Sequence, residues 1–248
     1  MQSKLCSAHV NQMNDSSHAE YFSSIRYDIE SLLPKTVENV LEIGSGSGAT
    51  LGWIKSKWPS CRTMGIDGHE GVRAELSEVA DQVIIQDLDN PLENLGTFDL
   101  ILALDVLEHL KNPDIVLLNL AKMLSPTGTI IVSVPNVARI SVAMRLMFGK
   151  FEYADSGIMD KTHLRFFTAD SAVKLMNLAG IEVLQGAGSG LELGKWNFAD
   201  HLTFGMARPR LAMQLIMKGK IGQQKSKVRW EKAYRWKRAK IEGQTRSA

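Results

Sequence analysis

Short apolar runs alternate with amphipathic stretches along most of the chain. Asn39–Ile43, Arg62–Ile66, Gln82–Ile85, Phe98–Leu104 and Gly128–Val134 read as strands. The run at Leu100–Leu104 is unbroken, the pattern of a strand buried on both faces. Between the strands lie helix candidates at Ala49–Trp58, Val72–Val79 and Asn112–Leu124, the outer two stopped by Pro59 and by Ser125–Pro126. Tyr21–Leu33 is a further amphipathic helix candidate, closed by Pro34. Alternation with short connections predicts an α/β fold, a doubly wound and mostly parallel sheet with helices on both faces. In the second half, Ala169–Ala179 reads as a helix, Ile181–Leu184 as a strand and Leu211–Met217 as a last strand. Val137–Gly149, Phe151–Thr168 and Gly186–Arg210 fit this pattern badly and are expected to form a lid or a substrate wall. In Val137–Phe148 the apolar Val137, Ile140, Met144 and Met147 are spaced to face the body.

Composition adds three limits. The chain has 248 residues, 44% of them apolar, enough for one full core. No apolar stretch nears the roughly 18 residues of a membrane span, and polar Met1–Glu20 lacks the pattern of a signal peptide. Cys6 and Cys61 allow one bridge at most, so a reducing, cytoplasmic setting is expected. The net charge of +2 hides an asymmetry: from Lys218 onward there are eleven Lys or Arg and two acidic residues, +9, which leaves −7 on the rest. The expected organisation is a flexible leader (1–19), a body (20–218) and a basic aromatic tail (219–248). In the tail, Trp230, Ala233, Tyr234, Lys237 and Ile241 would share a helical stripe. Its rings could dock on the acidic body, lie on an anionic membrane surface, or stack on nucleic-acid bases. Nothing in the chain resembles a base-reading module, so nucleic acid is not an expected partner.

The first strand runs into Gly44-Ser45-Gly46-Ser47-Gly48 and then a helix. Glycines there let the backbone turn tightly and let a ligand lie against it, and the free amides of a helix start receive polar groups. Asp67 stands 19 residues past Gly48, after the second strand, where a carboxylate can accept ribose hydroxyls. Glu42 would repel a pyrophosphate but suit an ammonium group. Asp87, after the third strand, could accept from an adenine amine. A ligand with an amino-acid end and a nucleoside end satisfies all three, and a nicotinamide dinucleotide fits less well.

Val40-Leu-Glu-Ile-Gly-Ser-Gly-Ser-Gly48, Gly65-Ile-Asp67, Gln86-Asp-Leu88, Phe98–His109 and Leu124-Ser-Pro-Thr-Gly128 together resemble the class I S-adenosylmethionine-dependent methyltransferases. The resemblance implies a seven-stranded Rossmann-like sheet in the order 3-2-1-4-5-7-6, the seventh strand antiparallel, with an insert after strand five. It implies S-adenosyl-L-methionine as cofactor, with Glu42, Gly44, Ser45, Gly46 and Gly48 around its methionine end. Asp67 and Gly68 would lie at the ribose, and Asp87 and Leu88 at the adenine, with Leu104 nearby. Ser45 stands where Cys or another small residue is usual. Within the class the chain looks like the branch of ubiquinone-biosynthesis O-methyltransferases and MetW-like proteins. Tyr21-Phe-Ser-Ser-Ile-Arg26 resembles the lead-in that folds over the cofactor there, which adds Tyr21 and Arg26 to the cofactor set. Gly149–Thr168, with Asp160-Lys-Thr-His-Leu-Arg-Phe-Phe-Thr168, is similar to an insert of methyltransferases from surface-polysaccharide clusters.

Methyl transfer needs an aligned acceptor and a proton acceptor near it. His109 follows the fourth strand, on the carboxyl side of the sheet where ligands sit. If a helical turn starts at Asp105, residues 105, 108 and 109 share a face. His109 is then a candidate base, a metal ligand, or a support for the cofactor loop. The ubiquinone-pathway enzymes are known for a metal at an acidic–x–x–Glu–His motif, which Asp105-Val-Leu-Glu108-His109 fits. No metal is assigned from the sequence. His163 and Arg165, one residue apart, would point the same way from an extended chain and are further catalytic candidates. Asp160 could pair with Arg165. Asn136 could serve the acceptor or its own turn. The expected activity is methyl transfer to an oxygen of a small-molecule or lipid-linked acceptor: a sugar, a glycolipid intermediate or a phenol-like compound. The alternative is a MetW-like regulatory or partner protein that binds the cofactor without turnover.

Overall fold

A computed structural model of the chain describes residues 24–93, 95–190, 208–222 and 228–232. Strands β1 (Asn39–Ile43), β2 (Arg62–Asp67), β3 (Gln82–Ile85), β4 (Phe98–Leu104) and β5 (Leu124–Pro135) run parallel. β6 (Ile181–Ser189) and β7 (Gln214–Ile221) follow, with β7 antiparallel to both β5 and β6. A last strand, β8 (Arg229–Lys232), pairs in parallel with β6. The sheet order is β3-β2-β1-β4-β5-β7-β6-β8, the implied seven-strand order with one strand added at an edge.

The helices among the described residues are α1 (Ala49–Lys57), α2 (Arg73–Val79), α3 (Pro113–Lys122), α4 (Ile140–Met147), α5 (Ala169–Leu178) and α6 (Arg208–Leu211). Period-two alternation along β4 sorts its side chains onto two cores. Ile101 and Ala103 pack with Leu41, Ile43 and the inner faces of α3 and α5. Leu100, Leu102 and Leu104 pack with Val40, α1 and the turn that carries Ile29 and Leu32. Each such Leu or Ile contributes roughly 1.5–3 kcal/mol on burial, which is why the central strands are the firmest part of the sheet. By the same alternation Glu42 shares the second face with Val40, where it is buried within reach of the Arg26 charge.

The structure corrects several expectations. Only Tyr27–Leu32 of the first helix candidate is helical among the described residues, and it is a 3₁₀ turn. β5 begins at Leu124, because Pro126 is accommodated where the ladder with β4 shifts register. β6 runs on to Ser189, and the last body strand starts at Gln214 after the α6 turn. Arg229–Lys232 is extended where a helical stripe was expected. There the Trp230 ring lies over Gly186, where a Cβ would come within 2.6 Å of the indole, so a bare backbone position receives it. The rest of the expected stripe lies outside the described residues.

α4 is amphipathic as its spacing predicts, but its stripe does not face the body. Ile140, Met144 and Met147 are exposed, with Phe148 and Phe151 beside them. No helix among the described residues is long and apolar enough to cross a membrane.

Candidate active site

The chain builds β1, β2 and β3 outward in one direction and then returns to lay β4 on the other side of β1. The carboxyl ends of β1 and β4 therefore flank the point where the winding reverses, the crevice where α/β sheets hold ligands. Gly44–Gly48 follows β1 there, and Asp105–His109 follows β4.

Gly44, Gly46 and Gly48 have φ of 65°, 52° and 80°, a backbone that other residues adopt at a cost. Space forbids side chains as well: a Cβ on Gly44 would stand 2.9 Å from Val106 Cβ, and one on Gly48 would stand 2.5 Å from Val79. Asp67, buried at the end of β2, orders this loop. Its Oδ2 accepts the Gly46 amide and its Oδ1 the His69 amide, both at 2.8 Å. Each oxygen keeps a second lone pair. The Gln86 amide donates to the Asp67 carbonyl, which ties the ends of β2 and β3 together. Asp87 is exposed there and accepts the Asp89 amide, and Leu88 beside it is buried. Gly68 is exposed and Leu104 closes β4, so the proposed cofactor residues gather at four adjacent strand ends. Tyr21 lies outside the described residues.

Two buried polar groups at the glycine loop lack hydrogen-bond partners: Glu42 Oε2 and Ser45 Oγ. Burial pushes the Glu42 carboxyl up to about 8, with Asp67 adding to the rise and Arg26 opposing it. Near pH 7 this carboxyl is mostly protonated, and a bound ammonium group would draw the proton off. Cofactor binding is therefore expected to release a proton and to tighten by up to about tenfold per pH unit between pH 6 and 7.5. Calorimetry of S-adenosylhomocysteine binding in buffers of different ionisation enthalpy measures this. Glu42→Gln should abolish the proton release, and a wild type without release would refute the assignment.

Arg26 is placed differently from a residue whose fork reaches a ligand. Its five side-chain N–H groups are all engaged: two with Asp28, one with Asp105 at 2.5 Å, one with Ser133 and one with Gln214. Its charge acts on Glu42 instead, where it favours the ionised carboxylate. Asp105 also takes the Ser133 hydroxyl at 2.7 Å and the Gln214 amide at 2.7 Å. Its φ of 52° makes it the one non-glycine residue with positive φ among the described residues. Sequence reasoning missed Ser133 and Gln214, which stand 107 and 188 residues from Arg26 and carry no local signal.

The turn after β4 is a short 3₁₀ helix, Leu107–His109, and the insert comes to it. The Glu108 carbonyl accepts the amides of Leu164 at 2.8 Å and Arg165 at 2.9 Å, a backbone clamp that sets His163 beside His109. The two imidazole rings meet edge to face, centroids 4.9 Å apart. His163 Nδ1 is 3.1 Å from the Ile158 carbonyl and His109 Nδ1 is 3.3 Å from the Thr162 carbonyl. A carbonyl only accepts, so each Nδ1 donates, which leaves Nε2 as the atom of each ring that can carry a lone pair. The His109 pKa is lowered, first by burial and then by His163, against the Thr162 carbonyl, Asp160 and Asp105. Glu108 is buried beside both rings with neither carboxylate oxygen partnered. Burial, then Asp105, raises its pKa well above the carboxylate range.

Other candidates fall away from this centre. His163 is buried and Arg165 exposed, so they do not point together; Arg165 donates to the Lys111 carbonyl, and Asp160 takes the Thr162 amide and hydroxyl. Asn136 is buried and donates to the carbonyls of Pro209 and Ala212 while accepting the Ala138 amide, so it serves its own turn. Arg145 pairs with Glu152 on the exposed side of α4.

A doubly wound sheet with a glycine loop and acidic strand ends at its switch point defines a class I methyltransferase fold. The chain belongs to the methyltransferase-domain family, which matches its residues 18–186. It is a class I S-adenosylmethionine-dependent methyltransferase, and S-adenosylmethionine is the cofactor that goes with this assignment. Its fold is shared with an S-adenosylmethionine-dependent methyltransferase of Thermotoga maritima at 16% identity and a TM-score of 0.55, over 84% of this chain and 91% of that one. It is also similar to the methyltransferase of Haloferax volcanii in complex with the Trm112 activator, at 16% identity and a TM-score of 0.58, over 84% and 95% of the two chains. A third similar structure is an O-methyltransferase of a Brevibacillus brevis trans-AT polyketide multienzyme with S-adenosyl-L-homocysteine, at 13% identity and a TM-score of 0.53, over 79% and 71%. No curated protein sequence matches the chain.

Proposed function

We propose that this methyltransferase acts on an oxygen of a small-molecule or lipid-linked acceptor, such as a sugar, a glycolipid intermediate or a phenol-like compound. The observation that carries this reading is the Glu108–His109–His163 cluster, set at the end of β4 beside the cofactor loop. An uncharged amine acceptor needs no base of this kind before attack, whereas a hydroxyl gains nucleophilicity as its proton leaves.

The bound cofactor supplies an electrophilic methyl group on a sulfonium. The residues of the chain would hold and order it. Glu42 would face the ammonium, the bare backbone of Gly44 and Gly46 would lie under the methionine end, and Asp67 would offer its remaining lone pairs to the ribose. Asp87 and Leu88 would border the adenine. Transfer would join the acceptor oxygen to the methyl carbon with loss of the carbon–sulfur bond, and the cluster around His109 would receive the proton of the acceptor hydroxyl. The exposed apolar stripe of α4, flanked by Arg139, Arg145 and Lys150, is in keeping with an acceptor carried on a lipid.

Incubating the protein with methyl-labelled cofactor and a cell extract tests the acceptor class. Label is expected in small or lipid-extractable products as a methyl ether that survives mild base. Label confined to protein or RNA would overturn the reading.

A further inference from the structure

Glu108 presents an energetic problem. Its carboxylate is buried and both oxygens lack a partner. Leaving such a group without a hydrogen bond is destabilising, and ionising it there costs more still unless a cation stands beside it. Asp105 is near but brings the wrong charge, and the Arg26 guanidinium is spent on Asp28, Asp105, Ser133 and Gln214.

The groups that do meet Glu108 are His109 and His163, with one donor atom from each of the three within 4.8 Å of the others. Both imidazoles give their Nδ1 hydrogens to main-chain carbonyls, so both Nε2 lone pairs are available. A ring whose far nitrogen donates to a carbonyl is the arrangement usual for histidines that bind metals. Donor atoms around a bound ion sit ~3–3.5 Å apart for metal–ligand bonds of about 2.0–2.2 Å, so from separations within 4.8 Å the contraction required is at most roughly 1.3–1.8 Å.

We propose that Glu108, His109 and His163 together bind one first-row transition-metal ion of the Zn²⁺ type in preference to Mg²⁺. The ligand set departs from the acidic–x–x–Glu–His motif. Asp105, which would be the first ligand of that motif, is held by Arg26, Ser133 and Gln214, and its place is taken by an imidazole from the insert, 54 residues beyond His109 in the chain. The exchange changes the metal. Two nitrogens and one carboxylate suit Zn²⁺, Mn²⁺, Fe²⁺ or Co²⁺, whereas Mg²⁺ prefers oxygen donors and retained water. Three protein ligands also leave a position open, as sites that bind a reacting oxygen do, and an ion there lowers the pKa of a hydroxyl bound to it. Metal binding can be read without any acceptor, so its failure is distinct from failure of the oxygen-transfer reading.

The test uses metal-free, full-length protein titrated with Co²⁺, followed by visible absorption, with Zn²⁺ added in competition. Thermal melting and S-adenosylhomocysteine binding verify the fold of each variant. One ion per chain is expected, with no displacement by equimolar Mg²⁺. His163→Ala and Glu108→Gln should each weaken Zn²⁺ binding by at least about tenfold, while Asp105→Asn changes it by less than about threefold. X-ray absorption of the wild type, which depends on no variant folding, should show two imidazole ligands. No stoichiometric Co²⁺ uptake, a single imidazole, equal binding of Mg²⁺, or a loss in Asp105→Asn matching that in His163→Ala would each overturn the proposal.

Discussion

Asp67→Ala is expected to weaken S-adenosylhomocysteine binding by at least about a hundredfold. A carboxylate that holds both ribose hydroxyls gives up two charge-assisted hydrogen bonds, each about 1.5–3 kcal/mol, and the sum covers roughly two to four decades of affinity. The loss has a second source. The same carboxylate accepts the Gly46 and His69 amides, so removing it frees the glycine loop as well as the ligand. Stability should fall by about 1–3 kcal/mol for the orphaned buried amide, visible as a lower urea midpoint at an unchanged slope. Asp67→Asn keeps one acceptor oxygen but sets an amide NH₂ against a backbone N–H, so it too should lose both affinity and stability. Calorimetry and urea melts on the two variants measure this. Affinity within about threefold of wild type in Asp67→Ala would remove this carboxylate from the cofactor site.

His109→Ala is expected to lower kcat by about 10²–10⁴, the range for removal of a positioned proton acceptor, and to leave cofactor affinity within a few-fold. The prediction holds whether His109 takes the proton itself or holds an ion that assists its departure, because both roles need the neutral imidazole. The pH dependence follows from the same requirement. Burial foremost, and then the neighbouring His163, lower the His109 pKa, and the Thr162 carbonyl, Asp160 and Asp105 only partly offset them. The neutral form therefore persists to a pH below the ordinary imidazole range. The acidic limb of kcat should lie below that range and the rate should level off by neutral pH. A limb displaced to higher pH, or unchanged turnover in His109→Ala, would show that the centre lies elsewhere.

Much of the fold is written in local pattern. The apolar-rich runs at Asn39–Ile43, Arg62–Ile66 and Leu100–Leu104 locate central strands because a strand buried on both faces accommodates few polar side chains. The glycine loop was legible for a similar reason: Gly44 and Gly48 occupy backbone conformations and spaces that other residues do not fit. Patterns failed where a local signal did not specify its partner. The stripe of Ile140, Met144 and Met147 reports an amphipathic helix, but periodicity says nothing of what covers the stripe, and the body does not. Trp230 reads equally well on a helix or a strand, and it is the exposed edge of β6, with Gly186 under the ring, that makes it a strand.

By itself, then, the sequence determined the class of the sheet, the glycine turn and the carboxylates at the ends of β1, β2 and β3, because each depends on residues adjacent in the chain and on steric rules that act over a few positions. Tertiary structure alone decided the chemistry at the end of β4. The motif pairs Asp105 with Glu108 and His109, yet folding gives Asp105 to an arginine 79 residues away and brings His163 across 54 residues to the other two. Hydrogen bonds and charges act through space, and only the packed insert, clamped by the Glu108 carbonyl, closes that distance.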